Sequence, residues 1–212
     1  MREGRPYRSR GVRALRLRAV LASGLVLGVG AAVTLASWTD REFATGSFQT
    51  SVFNTQSSVN GGAYADNSVS PGATVTIAGP FAPGVSAYFP VLIQTTANSV
   101  AGTAVLNGAT LGGTDAATLG AALVYRVVRT TGTCNAAAFT GTPAFVVGAA
   151  ATTRALTAGQ ETGVTNPLAA ATSTTPGAAT GFCFEVTLPA GAPNSLQGKT
   201  TTATWQFVTT SN

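Results

Sequence analysis

The amino-acid sequence predicts an all-β fold, a jelly-roll-like antiparallel β-sandwich preceded by a signal-peptide helix. Beyond Ser37, short runs of Val, Ile, Phe, Tyr and Thr are separated by Gly, Pro and Asn, which is typical of strands and turns. Only 9% of the residues are charged and 45% are hydrophobic, so Thr, Ser, Asn, Gln and Gly must form most of the surface. About eight short strands with turn signals between them are typical of a sandwich.

The strand pattern is strongest in eight segments. These are Phe48–Phe53, Ala73–Ile77, Ala87–Thr95, Thr103–Leu106, Leu123–Thr130, Ala144–Val147, Phe182–Leu188 and Thr201–Thr209. In the last of them, Ala203, Trp205 and Phe207 alternate with Thr204 and Gln206. This alternation predicts a half-buried strand whose aromatic face points inward.

Two regions depart from the strand pattern. Asp115–Ala122 reads as a short helix, for which Thr114 is the expected N-cap. Ala149–Ala179 is rich in Ala, Thr, Gly and Pro and has few large apolar residues. We expect a long excursion between strands there, with at most one ragged edge strand.

The first 36 residues have the pattern of a secretory signal peptide. Seven of the twelve basic residues lie in the first 18 positions, and the uncharged run Ala19–Ala36 follows. As a helix this run spans roughly 27 Å, close to the thickness of the bilayer hydrocarbon core. Thr34 and Ala36 are the small residues that predict a cut before Ser37, giving a leader of 1–36 and one domain of 37–212. An uncleaved signal anchor is the alternative.

The mature chain is nearly neutral. Beyond residue 36 there are five basic and six acidic side chains, which leaves a net charge of −1. Nucleic-acid binding needs clustered Lys and Arg, so it is not expected. Contact with the membrane is expected only through the leader before cleavage, and the mature protein is expected outside the cell or at its surface.

The two cysteines, Cys134 and Cys183, both lie in the exported part. An even count in an oxidising compartment predicts a disulfide, which would close the base of the Ala149–Ala179 excursion. Two separate buried thiols are the alternative. A metal pair is disfavoured because the chain has no His and no C-x-x-C unit.

No constellation of catalytic residues is evident, so we expect no enzymatic activity and no cofactor. The absence of His removes the commonest general base, and Lys199 with Ser195 does not form an S-x-x-K motif. A solvent-exposed Lys199 is expected instead. Asp40 with Glu42, and Asp66 with Asn67, lack the alternating acidic ligands of a calcium loop, and turn or cap roles are favoured for them.

Motifs at both ends of the chain carry a family resemblance. The leader ends in TLA and is followed by SWTDREFATGSF, in which a small residue, an aromatic and an Asp come first. Further motifs are the Ser70-Pro71-Gly72 turn before Ala73-Thr74-Val75, Gln197-Gly198, and the closing strand Ala203–Phe207. Together they resemble the TasA/camelysin family of Gram-positive bacteria, whose leaders are cut by a SipW-type signal peptidase. The low charge and the cysteine pair resemble its actinobacterial members.

The resemblance implies a structural protein of the biofilm matrix, a homo-polymer in which each subunit gives its N-terminal segment to the next as a strand. In this chain the segment is 37–52, and its apolar side chains are Trp38, Phe43, Phe48 and Val52. Such a segment suits addition to an open sheet edge. The alternative is that it forms the first strand of its own sandwich.

The sequence is compatible with other functions to different degrees. A monomeric extracellular adhesin or ligand-binding β-sandwich is the main alternative, although only Trp38 and Trp205 could supply an indole platform. An ice-binding protein is disfavoured because regular T-x-T ladders are missing. The end of the chain, FVTTSN, has no apolar tail, so surface retention is expected to depend on assembly or on an uncleaved leader.

Overall fold

The computed structural model describes residues 15–21, 41–46, 50–74 and 81–212. The chain divides into two compact units, Met1–Phe48 and Gln49–Asn212. In the first unit, residues 15–21 are helical, and residues 41–46 have neither helix nor strand and are exposed. Within the described ranges, no helix has the length and hydropathy needed to cross a membrane. The cleavage residues Thr34, Ala36 and Ser37 lie outside these ranges.

The second unit is an antiparallel β-sandwich, which confirms the predicted fold class. Its described residues form β1 (Thr55–Val59), β2 (Ser86–Thr95), β3 (Gly102–Leu106), β4 (Thr110–Gly112), β5 (Val124–Arg129), β6 (Ala144–Val147), β7 (Arg154–Ala155), β8 (Asn166–Leu168), β9 (Thr180–Thr187), β10 (Thr202–Thr204) and β11 (Phe207–Ser211). The large sheet has the order β1-β2-β9-β5-β6, and β7 also pairs with β5. Opposite it lie the small sheet β11-β3-β8 and the pair β10-β4.

The main core lies between the two layers. Alternate residues of β2, β5 and β9 meet apolar side chains of β3, β8 and β11 there, as strand periodicity requires. Phe184 is central, since its ring lies 4.8 Å from Phe89 and 5.2 Å from Trp205. The predicted inward face of Ala203, Trp205 and Phe207 is confirmed, because all three pack against this core.

A second, smaller cluster covers the outer face of the large sheet. The 3₁₀ helix Ala136–Phe139 lays Phe139 over Val128 and Cys183. The predicted disulfide between Cys134 and Cys183 is present and ties this cover to β9. Strand β9 is therefore buried on both faces, which explains why six of its eight residues are buried.

The predicted closing strand Thr201–Thr209 is broken in two. Thr204 pairs with Thr110 and Phe207 pairs with Leu106, so three residues, 107–109, face Trp205 and Gln206. This local mismatch bends the ribbon as a β-bulge does and separates β10 from β11. The alternating pattern of Thr201–Thr209 does not reveal this break, because the extra residue lies in the partner segment 107–109.

Residue 115, not Thr114, caps the short helix, so the predicted cap was wrong by one residue. The helix is a π-helical turn over Ala116–Gly120. The carboxylate of Asp115 accepts hydrogen bonds from Lys199 Nζ at 2.7 Å and the Thr200 amide at 3.0 Å, and a longer one from the Thr118 hydroxyl of the helix at 3.4 Å. This contact joins the helix to the segment before β10.

The Ala149–Ala179 excursion is more ordered than the sequence indicated. It contains two short strands, β7 and β8, and it buries Leu156, Asn166 and Leu168. The Gln160 side chain anchors it, since Gln160 Oε1 accepts hydrogen bonds from the Leu106 amide at 3.0 Å and from Asn166 Nδ2 at 2.9 Å. Polar side-chain bonds thus add to the few apolar anchors of the excursion, Leu156 and Leu168.

The first strand of the sandwich is β1, which the sequence did not indicate because TQSSV is mostly polar. Of the predicted strand Phe48–Phe53, residues 50–53 form only an isolated bridge between Val52 and Ser99. Residues 73 and 74 of the predicted strand Ala73–Ile77 are not in a strand, and 75–77 lie outside the described ranges. The predicted turn at Ser70-Pro71-Gly72 is present.

Three ion pairs hold six of the eight charged side chains of the second unit. They join Arg126 to Glu185, Arg154 to Glu161, and Lys199 to Asp115. Lys199 is therefore engaged with Asp115, not simply solvent-exposed as expected. Hydrogen bonds from Lys199 and Arg154 are the main causes that lower the pKa of Asp115 and of Glu161, respectively.

These lowered pKa values predict loss of stability in acid. Both carboxylates are expected to stabilise the fold above their unfolded pKa values, 3.8 for Asp115 and 4.5 for Glu161, and to lose that contribution as the pH falls through their lower folded pKa values. Thermal unfolding followed between about pH 6 and about pH 2 should show Tm falling most steeply below about pH 4.5. The Asp115→Asn variant should show a shallower fall; an unchanged slope would contradict the assignment.

Candidate functional site: the open edge of the small sheet

Strand β11 is the edge of the small sheet, and its outer side carries free backbone groups. The Asn107 amide donates to the Gln206 carbonyl at 2.9 Å, and the Asn212 amide donates to the Ala101 carbonyl at 3.1 Å. In an antiparallel ladder every second residue bonds to the partner strand, so the even-numbered residues between these two bonds face β3. The N–H and C=O groups of Phe207, Thr209 and Ser211 consequently point away from the sheet.

The described residues leave this outer side of β11 without a partner. None of them forms a hydrogen bond to the outward backbone groups of Phe207, Thr209 or Ser211. The strand sequence, FVTTS, also lacks the Lys and Pro that commonly protect an edge from pairing with another chain. Val208 is 42% exposed on the outer face of the sheet. The edge is therefore suited to accept another strand.

The outer edge of β1, in contrast, is closed by its own chain. The Thr55 amide donates to Asn54 Oδ1 at 2.9 Å, and Ser57 exchanges two backbone hydrogen bonds with Ala65 at 2.9 and 3.0 Å. The Gly62 amide donates to the Val59 carbonyl at 3.0 Å. These bonds use most of the groups that would otherwise bind a further strand.

The outer sides of β6 and β8 are also occupied. In β6 the Val146 carbonyl accepts from the Glu161 amide at 2.9 Å. In β8 Pro167 has no amide proton, and its carbonyl accepts from the Thr180 hydroxyl at 2.7 Å. A backbone bond from Glu161, a proline and a side-chain bond occupy these edges, so β11 is less protected than β1, β6 and β8.

The described residues of segment 37–52 divide into an exposed part and an anchored part. Phe43 is 88% exposed. The backbone of Val52 is bonded to the sandwich, because it bridges Ser99 and its carbonyl accepts from the Val100 amide at 3.1 Å, whereas its side chain is 51% exposed. The other two predicted assembly residues, Trp38 and Phe48, lie outside the described ranges. The structure thus separates Val52, which contacts its own chain, from Phe43, whose ring is uncovered.

Phe53 fixes the point where this segment enters the sandwich. Its ring packs against the core and lies beside Gly102, where a Cβ atom would be only 2.6 Å from Phe53 Cε2. Gly102 pairs with Ser211 at the end of β11. Phe53 therefore lies beside the pair of Gly102 and Ser211, at one end of β3 and β11.

Asp66 and Asn67, one of the two motifs compared with a calcium loop, form hydrogen bonds at a turn. Asp66 Oδ1 accepts from the Ser68 amide at 2.9 Å, which is the turn role that the sequence favoured. Asn67 Nδ2 donates to Ser57 Oγ at 2.8 Å and ties this turn to β1. No group of three His, Cys, Asp or Glu side chains converges within the described ranges. Glu42 is exposed, and Asp40 lies outside those ranges.

Sequence reasoning missed a polar cluster on the outer face of the large sheet. Tyr88, Glu185 and Arg126 are direct neighbours on β2, β9 and β5. The Tyr88 hydroxyl donates to Glu185 Oε1 at 2.9 Å, and Arg126 Nη2 lies 2.5 Å from Glu185 Oε2. Burial, followed by the hydrogen bond to Glu185, raises the pKa of Tyr88. Its one sequence signal was a lone Glu within the apolar run Phe182–Leu188.

This cluster has a structural role. Arg126 Nη1 also donates to the Ala150 carbonyl at 2.6 Å, and its guanidinium lies 5.1 Å from the centre of the Phe139 ring. The hydrogen-bonding groups of the cluster therefore contact one another and the cover of the sheet. The β11 edge, in contrast, has outward backbone groups without a partner in the described residues.

No family model matches this chain, and comparisons with curated proteins and with solved structures gave no match either. The resemblance to the TasA/camelysin family therefore stays a prediction from the motifs. What the fold defines is a disulfide-linked antiparallel β-sandwich with an unprotected edge strand.

Proposed function

We propose that this chain is a secreted, non-catalytic structural protein of the cell surface or biofilm matrix, which self-assembles when β11 of one copy accepts the N-terminal segment of another. The observation that carries the proposal is the contrast between edges: β1, β6 and β8 are occupied, whereas the outward groups of β11 have no partner in the described residues. In strand addition the backbone bonds supply the affinity and alternate side chains supply the specificity.

The dimensions of the two partners agree. Residues 37–48 span roughly 40 Å when extended, and the edge formed by β10 and β11, 202–211, spans roughly 33 Å. In the acceptor groove the donor would bury Phe43, which is 88% exposed here. Burial of a large apolar side chain contributes about 1.5–3 kcal/mol to the free energy of association. Cleavage before Ser37 by a SipW-type peptidase would free the donor from its leader.

A head-to-tail contact of this kind uses different surfaces on the two copies. Each subunit offers one donor segment and one acceptor edge, so the contact repeats and forms an open fibre. If the segment instead pairs along its own β11, the protein is a monomer and the adhesin or ligand-binding alternative is favoured.

Deleting residues 37–48 is expected to abolish fibres and to leave a folded, disulfide-bonded monomer, because Phe53 and the core remain. Electron microscopy and sedimentation of the mature chain 37–212 and of the deletion variant test this expectation. Fibres of unchanged yield from the deletion variant would refute the donor role.

The acceptor edge is tested by Thr209→Pro, which removes an outward N–H that β3 does not use. We expect this variant to fold and to form no fibres. Thr209→Val is the matched control, since it keeps the amide proton and the strand propensity and should assemble normally. Equal assembly of the two variants would show that β11 is not the acceptor.

A further inference from the structure

A pocket of about 450 Å³ lies where β5 ends, β9 begins and β8 crosses beside them. It is lined by Arg129, Thr130, Thr131, Pro167, Ala179, Thr180 and Gly181. Its volume is in the range of small-molecule sites. None of these residues belongs to β11 or to segment 37–52, so the pocket is separate from the proposed assembly surfaces.

Arg129 is the distinctive group in this pocket. The second unit has four cationic side chains, all of them described, and three are paired with carboxylates. Arg129 is the fourth, and its described contact is a hydrogen bond from Nη1 to the Thr165 carbonyl at 2.5 Å. That bond holds one end of the guanidinium and leaves the other N–H groups available for an anion. Arg binds carboxylates well because its planar fork matches their two oxygens.

The remaining lining suits a ligand with hydroxyl groups. The Thr130 hydroxyl accepts from the Gly132 amide at 3.0 Å, which leaves its own proton free to donate. Thr131 is exposed, and Pro167 and Ala179 supply apolar contact. Gly181 lets β9 pack closely beside Thr130, since a Cβ atom there would collide with the Thr130 carbonyl and Leu92.

We propose that this pocket binds a small hydroxylated carboxylate of the sugar-acid class, with Arg129 paired to the carboxylate and the threonine hydroxyls facing the ligand hydroxyls. A purely structural Arg129, which only ties Thr165 to β5, is the competing explanation. The ligand-binding role predicts that a soluble carboxylate binds in the pocket, whereas the purely structural role predicts that none does.

The test is an NMR titration of the mature chain with D-glucuronate, and with D-glucose as the neutral match. We expect saturable shifts of the Thr130, Thr180 and Gly181 amides with glucuronate only, and at least about tenfold weaker binding in Arg129→Gln, since charged hydrogen bonds contribute most to such sites. Arg154→Gln, which removes a cation elsewhere, should bind as the wild type does.

A second variant keeps the test valid if Arg129→Gln does not fold. Thr131→Asp places a carboxylate at an exposed position of the pocket rim, where it would occupy Arg129 and weaken glucuronate binding by a similar factor. Absence of saturable shifts, equal binding of glucose, or unchanged affinity in Thr131→Asp would overturn the proposal. None of these results bears on fibre formation, which is measured separately.

Discussion

Removing the Cys134–Cys183 disulfide is expected to lower the free energy of unfolding by about 4 kcal/mol. The bridge closes a loop of 49 residues, and the chain entropy that the unfolded state gains when this loop is opened gives this magnitude. The loop contains the whole Ala149–Ala179 excursion and the Phe139 cover, so much of the second unit depends on the bridge.

The double variant Cys134→Ser/Cys183→Ala measures this effect by urea denaturation without leaving a single reactive thiol. Wild-type protein under reducing conditions is the control and should lose a similar amount. If both retain the full free energy of unfolding, the bridge has no structural importance. Thiol labelling of the unreduced, denatured wild type should find no free cysteine.

Arg126→Met is expected to lower the free energy of unfolding by about 3–5 kcal/mol. This is the usual range when one partner of a buried ion pair is removed. The Glu185 side chain is only 8% exposed, and the variant leaves its carboxylate without a cation. The lost contacts to the Ala150 carbonyl and the Phe139 ring add to this cost.

A second substitution identifies the cause. Arg126→Met/Glu185→Gln has no buried charge and keeps an acceptor for the Tyr88 hydroxyl, so it should be more stable than Arg126→Met alone. Arg154→Met is the matched control, because the pair of Arg154 and Glu161 is 42% and 33% exposed and should contribute little. A double variant less stable than Arg126→Met would show that the charge is not the cause.

The strands that the sequence predicted best are those of the core. Ala87–Thr95, Leu123–Thr130 and Phe182–Leu188 correspond closely to β2, β5 and β9, because a buried strand needs a nearly continuous apolar run. The disulfide was also predictable, since two cysteines in a chain with the sequence pattern of an exported protein have few other roles.

The edges of the fold were harder to predict because polar contacts define them. Strand β1 is polar, and its pairing depends on β2 and on the Ala65 turn. The excursion is ordered by Gln160 and Asn166, whose partners lie on distant parts of the chain. Residue type does not reveal such partners.

The sequence predicted the kind of candidate site, a strand-exchange surface, but not which strand forms it. An exposed aromatic segment on a weakly charged chain indicated strand exchange, but which edge stays open depends on Asn54, Pro167 and Glu161 closing the others. Likewise, Arg129 is distinguished from Arg126 only by the position of Glu185 across the sheet. The pairing register of the strands, not the local sequence, decides which edge stays open and which arginine lies beside a carboxylate.

Hydrogen exchange of the β11 amides tests the central claim most directly. Mature chain 37–212 is measured below and above the concentration at which it assembles, with the internally bonded Ser57 amide as the reference. We expect the Thr209 and Ser211 amides to exchange quickly in the dilute protein and to become strongly protected on assembly, while Ser57 changes little. Equal exchange of Thr209 and Ser211 at every concentration, whether fast or protected, would contradict the proposal that β11 accepts a strand from another copy.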